Sequence, residues 1–252
     1  MTKKPIVAGN WKMNKTPLET LTFINDIDKL VSNNGVVDII ISPPYTSLSN
    51  IESRLSVSIA AQNCHWEDAG AFTGEISVKM LKGCGVEYVI TGHSERRHIF
   101  NESDEIVNKK FSAINSSGLK PILCVGETID ERKNGKTGSV LRDQLDNALI
   151  GIQNLENCFV AYEPVWAIGT GMTANINQIE EAHLMITKII REKIKITNHL
   201  YILYGGSVNS GNAADIIAVK NVDGFLIGGA SLDAGSFASI IDIVEKNREK
   251  IQ

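Results

Sequence analysis

The sequence predicts a protein of the α/β class that folds as a single (β/α)8 barrel over residues 1–252. Three observations predict this fold. Eight short apolar or β-branched runs recur about every thirty residues, helical patterns lie between them, and a length of 252 residues is one that α/β barrels use as a single domain. A Pro/Gly/Ser-rich linker that would divide the chain is missing from the sequence.

The eight predicted strands are mostly apolar throughout, which is typical of parallel strands covered on both faces. An open, doubly wound sheet also alternates strands with helices, but the first strand here runs into Gly9-Asn10-Trp11-Lys12 and not into a GxGxxG turn. A closed barrel is therefore the prediction, and its chemistry is expected just after the carboxyl ends of the strands. In chain order the strands are residues 6–8, 37–41, 57–60, 88–90, 122–125, 159–162, 201–204 and 225–227.

The clearest helix is predicted to begin after Thr16, with Pro17 in its first turn and Glu19 completing a capping box. Gly35 is predicted to end it. Its buried face is predicted to contain Leu18, Leu21, Ile24, Ile27 and Val31. A second helix, from about 175 to 194, is predicted to bury Ile179, Ala182, Ile186, Ile189 and Ile190.

Composition excludes several classes of function. The net charge of −4 comes from 25 basic and 29 acidic residues that are interspersed, which argues against a nucleic-acid surface. An apolar stretch of about 18 residues is missing, so the sequence predicts no membrane span. The four cysteines form no CxxC pair and indicate reduced thiols in a cytoplasmic protein. Cys64 and His65 are adjacent, which is poor spacing for a metal pair, so we expect no metal.

Two polar side chains follow the first and fourth strands. Lys12 comes directly after Trp11, an aromatic residue that would hold the loop still. His93 follows Gly92 and precedes a charged helix start. Because the positive end of a helix dipole lowers the proton affinity of an imidazole, His93 is predicted to be a neutral hydrogen-bond donor toward a carbonyl group.

A carboxylate stands at the tip of the sixth strand. Pro164 favours an extended conformation for Glu163, which keeps its side chain at the strand end. The segment 164–171 that follows is apolar at its centre and carries Pro and Gly at its ends. We interpret it as a lid that excludes water while Glu163 works. An ordinary connecting loop with buried side chains is the alternative.

Glycine pairs follow the last two strands, in Gly205-Gly206-Ser207 and Gly228-Gly229-Ala230-Ser231. Barrels commonly hold phosphate after strands seven and eight, where glycine lets backbone N–H groups approach a ligand. Together with the carboxylate and the imidazole, these turns predict an enzyme that moves a proton along a small phosphorylated sugar.

The motifs at the strand ends resemble the triosephosphate isomerase family in order and spacing. They are residues 9–14, 62–63, 70–75, 92–97, 161–171, 204–208 and 228–232. The resemblance implies interconversion of dihydroxyacetone phosphate and glyceraldehyde 3-phosphate, without cofactor or metal.

The resemblance also implies a role for each site residue. Glu163 would be the base, and His93 the electrophile that polarises the carbonyl. Lys12 would stabilise negative charge, Asn10 would help to hold the substrate, and Glu95 would position Lys12. The backbone groups that would bind phosphate belong to Gly169, Ser207, Gly228 and Gly229.

A homodimer is a further implication of the resemblance. The loop from about Cys64 to Gly74 would reach into a second subunit, with Thr73 close to the partner's active site. Its apolar and aromatic content is compatible with an interface. One departure from the family is Met172, which follows the lid segment at a position where members mostly carry Lys. This departure bears on the rate at which the lid opens and closes.

Two other interpretations remain open from the sequence. An aldolase-like barrel would form a Schiff base on a Lys deep in a strand, but strands four to seven offer only Lys120, at the wrong end. A non-catalytic phosphate-binding barrel would be marked by the loss of Glu163, His93 or Lys12, and all three are present.

Overall fold

The computed structural model describes residues 3–31, 35–49, 51, 57–169 and 172–249. The eight strands are β1 Ile6–Asn10, β2 Asp38–Ser42, β3 Ser58–Ala61, β4 Tyr88–Thr91, β5 Lys120–Val125, β6 Asn154–Tyr162, β7 Lys195–Tyr204 and β8 Gly224–Ile227. All neighbouring pairs are parallel, and β8 pairs with β1 to close the barrel in chain order. The predicted (β/α)8 barrel is therefore confirmed.

Helices connect successive strands on the outside of the barrel. They are α1 Pro17–Leu30, α2 Tyr45–Leu48, α3 Val78–Gly83, α4 Ser94–His98, α5 Asp104–Ser116, α6 Ile129–Lys133, α7 Thr137–Ala148, α8 Ile176–Lys193, α9 Ala213–Ile217 and α10 Ala234–Glu249. Short 3-10 turns occupy Val165–Ala167 and Gly229–Ser231. Over the described ranges, none of these helices combines the length and the apolar character needed to cross a bilayer.

Alternate strand residues form two separate apolar clusters. Ile6 and Ala8 belong to a small cluster of strand residues, whereas Val7, which lies between them, belongs to the large cluster that includes the helices. Because successive strand side chains point to opposite faces, the small cluster fills the barrel and the large one joins the sheet to the helices. Burial of each large apolar side chain contributes about 1.5–3 kcal/mol. Covering both faces explains the near-continuous apolar runs in the sequence.

Strands β6 and β7 are longer than the sequence indicates. Their first halves pair from Asn154 with Lys195 onward, with an irregularity between Leu155 and Asn157. These residues are largely polar and exposed, so the apolar pattern begins only where the two strands enter the barrel wall.

Helix α1 has the predicted start but not the predicted end. The Glu19 N–H donates to Thr16 Oγ1 at 3.4 Å and the Thr16 N–H donates to Glu19 Oε2 at 2.7 Å, so the capping box is present. The helix ends at Leu30, and Val31 is already extended. The prediction that Gly35 ends the helix was wrong, because the chain leaves the helix several residues earlier.

The buried face of α1 is also rotated from the predicted one. Leu18 is 74% exposed, whereas Thr20 is fully buried and Phe23 packs in the core beside Ile24 and Ile27. Helix α8 matches its prediction and buries Ile179, Ala182, Ile186, Ile189 and Ile190.

Candidate active site

Three of the predicted site residues lie at the carboxyl ends of strands. Asn10 is the last residue of β1, His93 comes two residues after β4, and Glu163 directly follows β6. They line one cavity of about 330 Å³ together with Lys12. The same cavity is lined by the four residues predicted to bind phosphate, Gly169, Ser207, Gly228 and Gly229.

The carboxylate of Glu163 is buried and has two partners. Its Oε1 lies 3.0 Å from His93 Nε2, and its Oε2 accepts the Ser94 N–H at 3.0 Å. Burial is the largest influence and raises the pKa of Glu163, but His93, the Ser94 N–H and Lys12 together hold that pKa below its ordinary value. Glu163 is therefore ionised where it lies. Sequence reasoning missed the contact with Ser94, because a backbone donor leaves no signal in the residue type.

His93 caps the short helix α4. The Glu95 N–H donates to His93 Nδ1 at 3.2 Å, so Nδ1 is an acceptor and the neutral ring carries its proton on Nε2, facing Glu163. Burial is the largest influence and lowers the pKa of His93, but the Glu163 carboxylate, its hydrogen bond and the charge of Glu95 together raise the pKa above its ordinary value. The predicted lowering is therefore not found in this arrangement, because the sequence does not reveal that a carboxylate lies against the ring.

Lys12 reaches the cavity from an unusual backbone conformation. Its φ of 54° is in the left-handed region, and its N–H donates to Asn10 Oδ1 at 3.1 Å. The amine lies 2.7 Å from Glu95 Oε1, which brings the predicted pair together. A Cβ built on Gly228 would be 3.7 Å from Lys12 Cε, so the lysine lies beside the glycine turn after β8.

The segment after Glu163 is held by a second buried carboxylate. Trp166, in the 3-10 turn, is 9% exposed, and its Nε1–H donates to Glu127 Oε1 at 3.1 Å. Glu127 is fully buried and also accepts the Tyr162 hydroxyl and the Arg132 guanidinium. Sequence reasoning missed Glu127, although its place just after β5 is the kind of position that carries function in a barrel.

The outer part of this segment borders the cavity. Ile168 and Gly169 line it, whereas Thr170 and Gly171 of the predicted lid lie outside the described residues. An ordinary connecting loop with buried side chains would also bury Trp166. The burial of Trp166 therefore does not distinguish a lid from a connecting loop.

Glycines after β7 and β8 serve different purposes. A Cβ on Gly205 would lie 2.9 Å from Glu163 Cγ and 3.2 Å from Tyr162 O, so only glycine leaves room for the carboxylate. A Cβ on Gly229 would meet nothing within 4 Å. The space at Gly229 is thus open to a ligand.

The arrangement suits removal of a proton next to a carbonyl group. An ionised carboxylate, an imidazole Nε2–H and an ammonium group face one small cavity, and backbone turns of the kind that bind anions also line it. Carbon acids need such donors, because the negative charge that develops on oxygen must be stabilised.

Comparison with known proteins points to the same family as the motifs at the strand ends. The profile of the family described as "Triosephosphate isomerase" matches residues 5–244. The triosephosphate isomerase of Alkaliphilus metalliredigens is 47% identical, covering 95% of this chain and 99% of the relative. That of Geotalea uraniireducens is 44% identical over 96% of this chain and its whole length, and that of Aquifex aeolicus is 48% identical over 94% and 98%. A match of this extent shows that the chain belongs to the triosephosphate isomerase family.

Proposed function

We propose that this protein is a triosephosphate isomerase that interconverts dihydroxyacetone phosphate and D-glyceraldehyde 3-phosphate through an enediolate. The observation that carries the proposal is the 3.0 Å contact between Glu163 and His93 Nε2 in a cavity that Lys12 and Gly228 also line. A non-catalytic phosphate-binding barrel is not favoured, because it needs no buried base beside an imidazole donor.

Glu163 is the proposed base. It takes a proton from one carbon of the triose and returns it to the neighbouring carbon, after leaving its contact with the Ser94 N–H. The Nε2–H of His93 polarises the carbonyl oxygen and passes protons between the two oxygens. Each proton-transfer role is typically worth about 10²–10⁴-fold in rate.

The remaining site residues bind and stabilise charge. Lys12 stabilises both the enediolate and the phosphate, and Glu95 holds its amine in place at 2.7 Å. Asn10 helps to hold the substrate. The phosphate is bound by backbone groups at the turns that carry Gly169, Ser207, Gly228 and Gly229. The chemistry requires neither cofactor nor metal.

The segment that carries Trp166 is proposed to act as a lid. Once it covers the cavity, water leaves and the electrostatic contacts of Lys12 and His93 become stronger, because the effective dielectric falls. The same closure would keep the enediolate from losing phosphate. What supports the lid is that Ile168 and Gly169, which follow the anchored Trp166, line the cavity and are placed to cover a ligand there.

The test compares isomerisation rates of the parent protein and Glu163→Gln. Fast conversion by the parent and a fall of kcat by about 10³-fold in the variant, within the range for base catalysis, are expected. Glu105→Gln makes the same change on an exposed part of α5 and should leave the rate unchanged. A folded parent without conversion would exclude the isomerase and leave the phosphate-binding barrel.

We propose further that the functional unit is a homodimer. Met13, Ile99, Phe100 and Phe72 are 95%, 67%, 63% and 44% exposed, and Met13 and Phe100 line one cavity. Neighbouring apolar side chains that are exposed together are typical of an interaction site. A second cavity of about 220 Å³ beside the active site is lined by Met13, Phe100, Asn10, Lys12 and Glu95 among others.

The loop that would enter this second cavity is the one containing Thr73. The ring of His65 stacks on Trp66 at 4.1 Å and contacts Phe72 at 4.4 Å, which gives the loop a fixed shape, and Thr73 is exposed at its end. A second copy of this chain is therefore the proposed occupant.

Sedimentation equilibrium tests the dimer. The parent should have twice the chain mass of 27.5 kDa, and Met13→Asp should shift it toward the monomer, whereas Leu30→Asp on the outside of α1 should not. A parent that remains at 27.5 kDa at micromolar concentration would contradict the proposal. The cytoplasmic location remains a prediction from the sequence.

A further inference from the structure

We propose that Gln62, which directly follows β3, is a positioning residue for Lys12. Its amide holds the backbone of Lys12 in the left-handed conformation from which the amine reaches the cavity. The inference rests on the proposed function, in which Lys12 stabilises the charge of the substrate and of the enediolate.

The backbone of Lys12 needs an external support. Among the residues that the structure describes, four other than glycine have positive φ: Lys12, Lys15, Asn101 and Asn221. Asparagine is of the type that tolerates this conformation, whereas lysine is not. An asparagine can bond to its own backbone there, whereas a lysine side chain is too long to do so. At Lys12, with a φ of 54°, the surrounding structure must therefore maintain the conformation.

Two side-chain amides provide that support. Gln62 Nε2 donates to the carbonyl oxygens of both Lys12 and Ser42, at 2.8 Å each. Asn10 Oδ1 accepts the Lys12 N–H at 3.1 Å. Gln62 therefore ties the end of β1 to the end of β2, and the peptide groups on the two sides of Lys12 are each bound by a different amide.

The geometry beyond the backbone depends on this support. Lys12 Nζ lies 2.7 Å from Glu95 Oε1, and Lys12 Cε lies beside Gly228 in the 330 Å³ cavity. Gln62 is not one of the described residues that line that cavity, although it lines the second, 220 Å³ cavity together with Lys12 and Glu95. Within the chain, its connection to the substrate cavity therefore runs through the backbone of Lys12. A misplacement of about 1 Å at a reacting group can cost about 10²-fold in rate.

The experiment compares Gln62→Met with Asn108→Leu. Asn108 is a matched control, because its Nδ2 also donates to two backbone carbonyls, those of Ala148 and Ile150, at 2.9 Å each, far from the barrel mouth. Both variants lose two amide-to-carbonyl hydrogen bonds, so both should lose a few degrees of melting temperature. Only Gln62→Met should lose about 10²-fold in kcat/KM.

Inhibition by inorganic phosphate provides a readout that a purely structural role would not change. In Gln62→Met the inhibition constant should rise about tenfold, which corresponds to the loss of one charged contact, whereas Asn108→Leu should keep the parent value. Equal kcat/KM and equal phosphate inhibition in the two variants would overturn the inference.

A second variant and a crystal structure cover the remaining outcomes. If Gln62→Met fails to fold, Gln62→Glu keeps the side-chain shape but offers no N–H to the two carbonyls, and it should lose at least as much activity. In the crystal structure of either variant, Lys12 should leave the left-handed region. A retained positive φ with an intact Lys12–Glu95 pair would refute the inference, whether or not the parent is active. An inactive parent alone would refute only the proposed function.

Discussion

Gly205→Ala should slow the enzyme without unfolding it. The added Cβ would lie 2.9 Å from Glu163 Cγ, whereas ordinary contact begins near 3.4 Å, so the carboxylate side chain must move by about 0.5 Å. The Tyr162 carbonyl oxygen, at 3.2 Å, must give by a few tenths of an ångström. Since a 1 Å misplacement at a reacting centre can cost about 10²-fold, a displacement of this size should lower kcat by about 10- to 100-fold. That loss corresponds to about 1.4–2.8 kcal/mol of transition-state stabilisation.

Steady-state isomerisation and thermal unfolding together test this expectation. Gly83→Ala is the control, because a Cβ there meets nothing within 4 Å and Gly83 lies in α3, away from the site. It should leave kcat unchanged. The crowding at Gly205 should cost about 1–3 kcal/mol of stability, typical of one extra carbon in a packed region. A Gly205→Ala variant with kcat within threefold of the parent would refute the idea that this glycine maintains room for the base.

Two further predictions concern stability. Burial lowers the pKa of His183 to about 4 against the opposing hydrogen bond to Asn221 O, so its contribution to stability is fully present above pH 6.5 and is lost as the pH falls toward 4. His183→Asn should flatten the pH dependence of the unfolding free energy in that window by up to about 3 kcal/mol, measured by urea unfolding, and an unchanged slope would contradict the assignment. Thr16→Ala should lower the unfolding free energy by about 1 kcal/mol at constant kcat, because it removes the N-cap of α1, whereas Thr16→Ser should retain it.

The positions of the chemistry could be predicted from the sequence because they follow from the fold. Each predicted strand ends in a polar or glycine-rich segment, and parallel strands in a closed barrel bring those ends to one mouth. Lys12, His93, Glu163 and Gly228 therefore meet in one cavity although they are far apart in the chain.

The details that the sequence did not reveal depend on partners distant in the chain. Thr20 is buried in place of Leu18 because its hydroxyl contacts both Thr16 O and Ser47 Oγ at 3.0 Å, and the second partner belongs to another helix. The contact of the Ser94 N–H with Glu163 is hidden for the same reason. Hydrophobic periodicity assigns residues to the buried or the exposed face by their polarity alone. The burial of a polar group also depends on whether it finds a hydrogen-bond partner.

Glu163 is bonded to a backbone N–H and an imidazole in the cavity as it stands, and this links its basicity to the arrival of a ligand. To remove a proton from carbon, the carboxylate must give up these contacts. The binding of a correctly placed substrate must compensate for their loss. The same two contacts therefore keep the carboxylate a weaker base until they are released, because both favour its ionised form.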